Sequence, residues 1–408
     1  MFDRTLTFIL AGGMGSRLHP LTIERSKPAV PFGGKYRIID FTLANCLHSG
    51  LRRILILTQY KSHSLHKHLR DAWSIFNPEL GEYITAVPPQ MNQGEHWYQG
   101  TADAIYQNLN LLERSKADYV LILSGDHIYR MDYAAMLKAH KNNDTDVTVA
   151  CMNVDIKEAC DFGVVSIGQN NRMIAFDEKP EQPTPAPDNA DKALASMGIY
   201  VFSTALLKKV LEENQLNSVS THDFGKDILP KLIHSHSVHT YIFGGKEGRV
   251  LPDQYWRDVG TIDSYYQANM DLLKPIPPLN LYQNNWPIRT YQPQTPPART
   301  VPGETGNEGI FINTILASGV VIAGGNVGHS ILFHDIFIDD QAIVEHSILF
   351  SGVHVGVGAR LQNCIIDKDV NIPADERIGY DLEKDSQRFT ISDNGIIVVP
   401  SGYTFGDS

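Results

Sequence analysis

A glycine-rich turn placed directly after an apolar run is the first feature of this chain that could do chemistry. It reads Leu10-Ala11-Gly12-Gly13-Met14-Gly15-Ser16-Arg17-Leu18, with Lys27-Pro28-Ala29 a short way on. Glycines at the end of a strand expose backbone N–H groups and let an anion approach the main chain closely. Arg17 and Lys27 add the positive charge that a triphosphate requires. The turn is not a P-loop, because no Gly-Lys-Ser/Thr closes it, and its glycine spacing differs from the dinucleotide fingerprint. Asp126, just after the run Tyr119 to Leu123, is a second candidate. A carboxylate beside phosphates calls for a divalent cation between the two, and Mg²⁺ suits hard oxygen ligands.

These residues need elements to hold them. The apolar runs Leu6–Leu10, Ile54–Leu57, Tyr119–Leu123 and Val147–Ala150 read as buried strands, and helix-like segments at 101–114 and 132–143 lie between them. Such alternation predicts an α/β domain with a Rossmann-like, mostly parallel sheet covered by helices on both faces. Ligands of such sheets sit beyond the carboxyl ends of the strands, where the glycine turn and Asp126 both fall.

From Pro275 to Pro302 the chain is proline-rich and loses periodicity, so it reads as a connection packed on the surface. Beyond it Asn313, Ser330, Ser347 and Cys364 recur at 17-residue spacing, each followed by an apolar residue within two positions. Val321, Ile338, Val355 and Ile372 keep the same period. Two such columns predict a β-solenoid, and a turn of this length fits a left-handed parallel β-helix with three short strands per coil. The expected division is a catalytic domain at 1–270, a linker at 271–302 and a β-helix for regulation and oligomerisation at 303–408.

The 408 residues are 42% apolar and 20% charged, as in a globular protein of more than one domain. A net charge of −11 argues against a general nucleic-acid or membrane-surface role, so any phosphate site must be local. The four cysteines show no metal-ligand spacing and read as reduced thiols. The first apolar run is too short for a signal peptide and no stretch approaches a membrane span, so a cytoplasmic enzyme is expected.

Further blocks make the picture specific: Phe32-Gly33-Gly34-Lys35-Tyr36-Arg37-Ile38-Ile39-Asp40, Trp97-Tyr98-Gln99-Gly100-Thr101-Ala102-Asp103, Ser124-Gly125-Asp126-His127, Asp223-Phe224-Gly225-Lys226-Asp227 and Tyr255-Trp256-Arg257-Asp258. Together with the glycine turn, over nearly the whole chain, they resemble the sugar-activating nucleotidyltransferases, and among these the glucose-1-phosphate adenylyltransferase family. The resemblance implies that ATP and glucose 1-phosphate give ADP-glucose for glycogen biosynthesis and diphosphate, by Mg²⁺-assisted in-line attack. It implies that Asp126 is paired with Asp258 as metal ligands, and that Arg17 and Lys27 act with them on the triphosphate. Leu10, Ala11, Gly12, Gly13, Gly15, Gly100 and Gln90 match nucleotide positions, with Gln90 at the adenine edge. Lys179 matches the lysine on the sugar phosphate, Glu178 the residue on sugar hydroxyls, and Tyr98, Gly163 and Ser196 other sugar-site positions.

Members of the family are homotetramers tuned by anionic metabolites in a pocket between the domains, which the resemblance places at Arg25, Arg37, His63 and Lys368. Glu24 stands where a cation is common, and Pro31 where a polar residue is frequent. Weak or altered activation by fructose 1,6-bisphosphate is therefore expected. His63, His66 and His68 sit in a polar segment without cysteines or paired carboxylates, and read as a solvated helix face rather than a zinc site. The alternatives are a UDP- or dTDP-sugar pyrophosphorylase, a non-catalytic regulatory subunit, and a solenoid acyltransferase using one of His329, His334, His346 or His354.

Overall fold

The computed structural model describes residues 2–90, 97–245, 248–250 and 254–406. A nine-stranded sheet organises the first part of the chain. Its centre is Thr5–Ala11, flanked in parallel by Arg53–Thr58 and Tyr119–Ser124, with Tyr83–Val87 parallel beyond Arg53–Thr58. The three inner strands are buried on both faces, whereas Tyr83–Val87 is half-buried with Thr85 exposed. Their common direction brings the glycine turn, Gln59 and Gly125-Asp126 to one edge. The 12-residue strand Lys192–Ser203 runs antiparallel to Tyr119–Ser124 and to Val147–Asp155, so the far half of the sheet is mixed.

Two expected elements differ in detail. The helix expected over 101–114 is two helices, Thr101–Tyr106 and Leu109–Ser115. The break falls at Asn108, whose amide donates to the Ala104 carbonyl and to the Tyr98 hydroxyl. A side chain that bonds the backbone in this way competes with helix continuation. The segment at 132–143 is a helix from Tyr133 to Asn142, with Asp132 as its N-cap accepting from the Ala134 N–H at 3.0 Å.

His140 on that helix is buried, and its ring is held by the hydroxyls of Thr145 and Thr148. Burial pulls it down from 6.5 to about 4. The folded protein thus excludes a proton that the unfolded chain binds, and stability should fall as pH drops below about 6.5. Urea unfolding should show a loss of about 2 kcal/mol between about pH 7 and pH 5 attributable to this residue. His140→Asn should abolish that part of the slope; an unchanged slope would refute the assignment.

The second part is a three-sided parallel β-helix, the left-handed solenoid expected from the repeat. Its coils stack apolar residues inward, with Ile322, Ile338 and Val355 all fully buried. Later coils pair at 17 residues, as in Ile331 with Ile348 and Ile348 with Ile365. The first coil of the regular repeat, in which Ile310 pairs with Asn326, is one residue shorter. Ile315 pairs with Ile331, and Ile322, not Val321, pairs with Ile338. In the first repeat both sequence columns therefore start one residue early, a slip that the alternating pleat would turn into a change of face. The last sheet strand, Ile397–Val399, pairs with Cys364–Ile366 across an insertion carrying the helix Leu382–Ser386.

The proline-rich connection is anchored tightly. Trp286 is buried and donates to Asn45 Oδ1 at 3.0 Å, while the buried Arg130 guanidinium donates to the Asn280 carbonyl at 2.8 Å and bonds Gln283. All four cysteines are free thiols, three of them buried. Among the described residues no helix is long and apolar enough to cross a membrane.

Candidate active site

The first strand ends at Ala11, and Gly15 then adopts φ 63° to start the single 3-10 turn Ser16–Leu18. Only glycine takes that conformation without strain, and a Cβ there would lie 3.1 Å from Lys27 Cβ. Thr22 closes the loop by donating to the Gly15 carbonyl at 3.0 Å. The result is a cavity of about 540 Å³ lined by Leu10 to Arg17, Lys27, Gln59, Tyr60, Tyr98 to Thr101, Ser124 and Asp126. Gly100 belongs to this wall, and its own requirement is steric, since a Cβ would fall 2.3 Å from the His222 carbonyl. Tyr98, expected on the sugar side, lines this cavity instead, where its N–H donates to Gln59 and its hydroxyl accepts from Asn108. Gln90 is not part of the wall. It is exposed and its amide donates to the carbonyl of Pro88.

Asp126 leaves the sheet next to Ser124, whose hydroxyl bonds its carboxylate. Asp258 arrives by another route. The short strands His127–Tyr129 and Trp256–Asp258 pair antiparallel, and their register sets Asp258 opposite His127. Ligand atoms of Asp126, His127 and Asp258 fall within 4.8 Å of one another. Lys27 lies between the carboxylates, its Nζ 2.9 Å from Asp126 Oδ2 and 2.7 Å from Asp258 Oδ1. Burial disfavours the ammonium, but the two carboxylates outweigh it and raise its pKa. Burial likewise opposes ionisation of Asp126, yet Lys27, His127 and Ser124 hold that carboxyl well below the usual range. The Lys27 charge expected on a triphosphate is directed at the aspartates in this state.

A second cavity of about 670 Å³ opens on the other side of Asp258, with Arg17 and Gly260 on the walls of both. Its lining includes Lys179, Trp256 and Arg257. Lys179 follows the strand Met173–Glu178 with φ 51°, pinned by its N–H to the Phe162 carbonyl at 3.0 Å, and its side chain is exposed. The carboxyl of Glu178 is pushed up by burial and by Asp223. Ser196 accepts from the Gly198 N–H at 3.3 Å. Gly163 must be glycine for steric reasons within the protein, since a Cβ would meet the Phe176 ring at 2.4 Å and Glu178 Oε2 at 2.9 Å.

The residues expected around an effector divide. Arg37 and Lys368 both line an interdomain cavity of about 540 Å³, together with Lys35 and His68. Burial, then Arg37 and Arg25, lowers Lys368 to about 8. Arg25 is not free for an effector. It is buried, and its Nη1 holds both carboxylate oxygens of Asp367 on the β-helix, at 2.9 and 3.0 Å. His63 begins the helix His63–Trp73 in an exposed position and is absent from the cavity wall. His68, read as solvated, is instead buried against Asp40 at 2.6 Å.

Sequence reasoning passed over Gln59, Tyr60 and His127. The first two follow the strand Arg53–Thr58, just past the run Ile54–Leu57, so the rule that ligands sit beyond strand ends would have found them. His127 directly follows Asp126 and falls under the same rule, but its pairing with Trp256–Asp258 is what sets it opposite Asp258.

Comparison with known proteins agrees with this architecture. Residues 6–275 match the model of the nucleotidyl transferase family, and residues 296–399 that of the GlmU-like C-terminal hexapeptide. The fold is that of a nucleotidyl transferase joined to a β-helix. The chain is 62% identical over 401 residues to glucose-1-phosphate adenylyltransferase 2 of Vibrio cholerae, covering 98% of each chain. It is 48% identical over 407 residues to glucose-1-phosphate adenylyltransferase of Rhodopirellula baltica, covering 98% of this chain and 91% of that one. The chain belongs to the glucose-1-phosphate adenylyltransferase family.

Proposed function

We propose that this protein makes ADP-glucose and diphosphate from ATP and glucose 1-phosphate, with Mg²⁺ as the metal, and so supplies a donor for glycogen synthesis. The observation that carries the reading is the position of Asp126 and Asp258 at the seam of two cavities. One is walled by a glycine turn fit for a triphosphate, the other holds Lys179 fit for a phosphate monoester. A phosphate oxygen of glucose 1-phosphate attacks the α-phosphorus, the bond from that phosphorus to the bridging oxygen breaks, and diphosphate leaves with the electron pair. The nucleophile is already an anion, so no general base is required. Positioning and charge stabilisation carry the rate.

The two carboxylates fit a hard divalent cation, because they are oxygen donors close enough to share one ion. Such an ion supplies charge neutralisation between nucleophile and α-phosphate. Arg17 borders both cavities and stabilises the departing diphosphate; Lys179 holds the sugar phosphate and Glu178 the sugar hydroxyls, beside Ser196. The turn from Leu10 to Gly15 cradles the triphosphate. Catalysis belongs to residues 1–270, and the β-helix at 303–408 serves regulation and assembly into a homotetramer in the cytoplasm. Diphosphate release measured with glucose 1-phosphate and Mg²⁺ should be fast with ATP and at least about 100-fold slower with UTP or dTTP, as the match to adenylyltransferases implies. Equal rates would point to a different sugar-nucleotide pyrophosphorylase.

For the interdomain cavity we retain Arg37 and Lys368 as anion-binding groups. Activation by fructose 1,6-bisphosphate should be weak, because Glu24 stands where the family commonly carries a cation and Arg25 is already paired. What activation exists should decline above about pH 8 as Lys368 loses its proton, and disappear in Lys368→Ala. A large activation would overturn this.

A further inference from the structure

The cation between Asp126 and Asp258 in this structure is the protein's own. Lys27 Nζ donates at 2.9 Å to one carboxylate and 2.7 Å to the other, and its side chain is only 9% exposed. The ammonium therefore lies between the oxygens that a shared divalent ion would have to bridge. Magnesium or manganese binds carboxylate oxygens at about 2.1 Å, so ion and ammonium cannot both sit between this pair. Their like charges would also repel at that range.

Lys27 has somewhere else to go. It lines the same cavity as Gly12, Gly13 and Arg17, where a triphosphate would present anionic oxygens. We propose that Lys27 is the resident counter-ion of the aspartate pair, which bars a divalent cation from the nucleotide-free protein until phosphate oxygens draw the ammonium away. Metal entry is thereby tied to nucleotide entry. The inference rests on the function proposed above for this site, and adds an exchange of one cation for another.

The test uses the full chain without nucleotide. Mn²⁺ is titrated into wild type, Lys27→Gln and Lys27→Met, and free ion is followed by its paramagnetic resonance signal. Both variants should bind one Mn²⁺ per chain at least tenfold more tightly than wild type. Adding Asp126→Asn to Lys27→Gln should remove the gain. Wild type binding as tightly as the variants, or a gain that survives Asp126→Asn, overturns the proposal.

Should the variants fail to fold, wild-type crystals soaked in Mn²⁺ alone decide the matter. No anomalous peak is expected between the two carboxylates, and a peak there refutes the barrier. Diphosphate release by wild type is a separate readout. An active enzyme whose nucleotide-free form binds Mn²⁺ freely would leave the proposed reaction standing and defeat only the exchange.

Discussion

Asp126→Asn, assayed by diphosphate release from ATP and glucose 1-phosphate with Mg²⁺, should lose at least about 100-fold in kcat, the scale of removing one fixed group that stabilises transition-state charge. The amide keeps the shape and the Ser124 contact but removes one of the two negative charges facing Lys27 and the metal position. Asp126 leads off the strand Tyr119–Ser124 and its side chain is partly exposed, so circular dichroism and melting should change little. The effect should fall on turnover more than on KM for glucose 1-phosphate, because Lys179 lies on another wall. Asp258→Asn should behave alike, and the double variant should be barely worse than either, as for groups that act as a unit. An active Asp126→Asn would remove the metal assignment and with it the mechanism.

Asp367→Ala should cost about 3–5 kcal/mol of stability, because it strands the buried Arg25 guanidinium without its partner. The pair joins the catalytic domain to the β-helix through side chains 6% and 3% exposed. Urea unfolding of the single variants against Arg25→Met/Asp367→Leu separates the possibilities. The double apolar replacement should recover most of the loss, since replacing both members of a buried pair is often neutral. If Arg25 served an effector instead, its substitution would alter activation and leave the urea midpoint unmoved.

Much of this was legible before any coordinates, and the reasons are local. A strand followed by glycines needs no distant partner to expose its N–H groups, so the turn from Leu10 to Gly15 and Asp126 at a parallel neighbour's end could both be placed. The solenoid was legible because each coil meets the next in the same columns, although Val321 shows the limit. A one-residue shortening of the first coil is invisible to a fixed period, and only the pairing of Ile322 with Ile338 reveals it. The break at Asn108 was hidden for a related reason. Helical periodicity continues through it, and a side-chain bond to Ala104 decides otherwise.

The sequence by itself therefore determined the order of the two domains, the glycine turn at the first strand's end and the residue types able to hold a cation, because each follows from neighbours along the chain. Tertiary structure alone decided which charges meet. Lys27 turned to the aspartates, Arg25 to Asp367 and His68 to Asp40, and Tyr98 lines the cavity beside the glycine turn. The physical reason is burial. A charged side chain taken out of water must find its partner among whatever the fold brings near, and for Arg25, as for Lys27 with Asp258, that partner lies more than two hundred residues away.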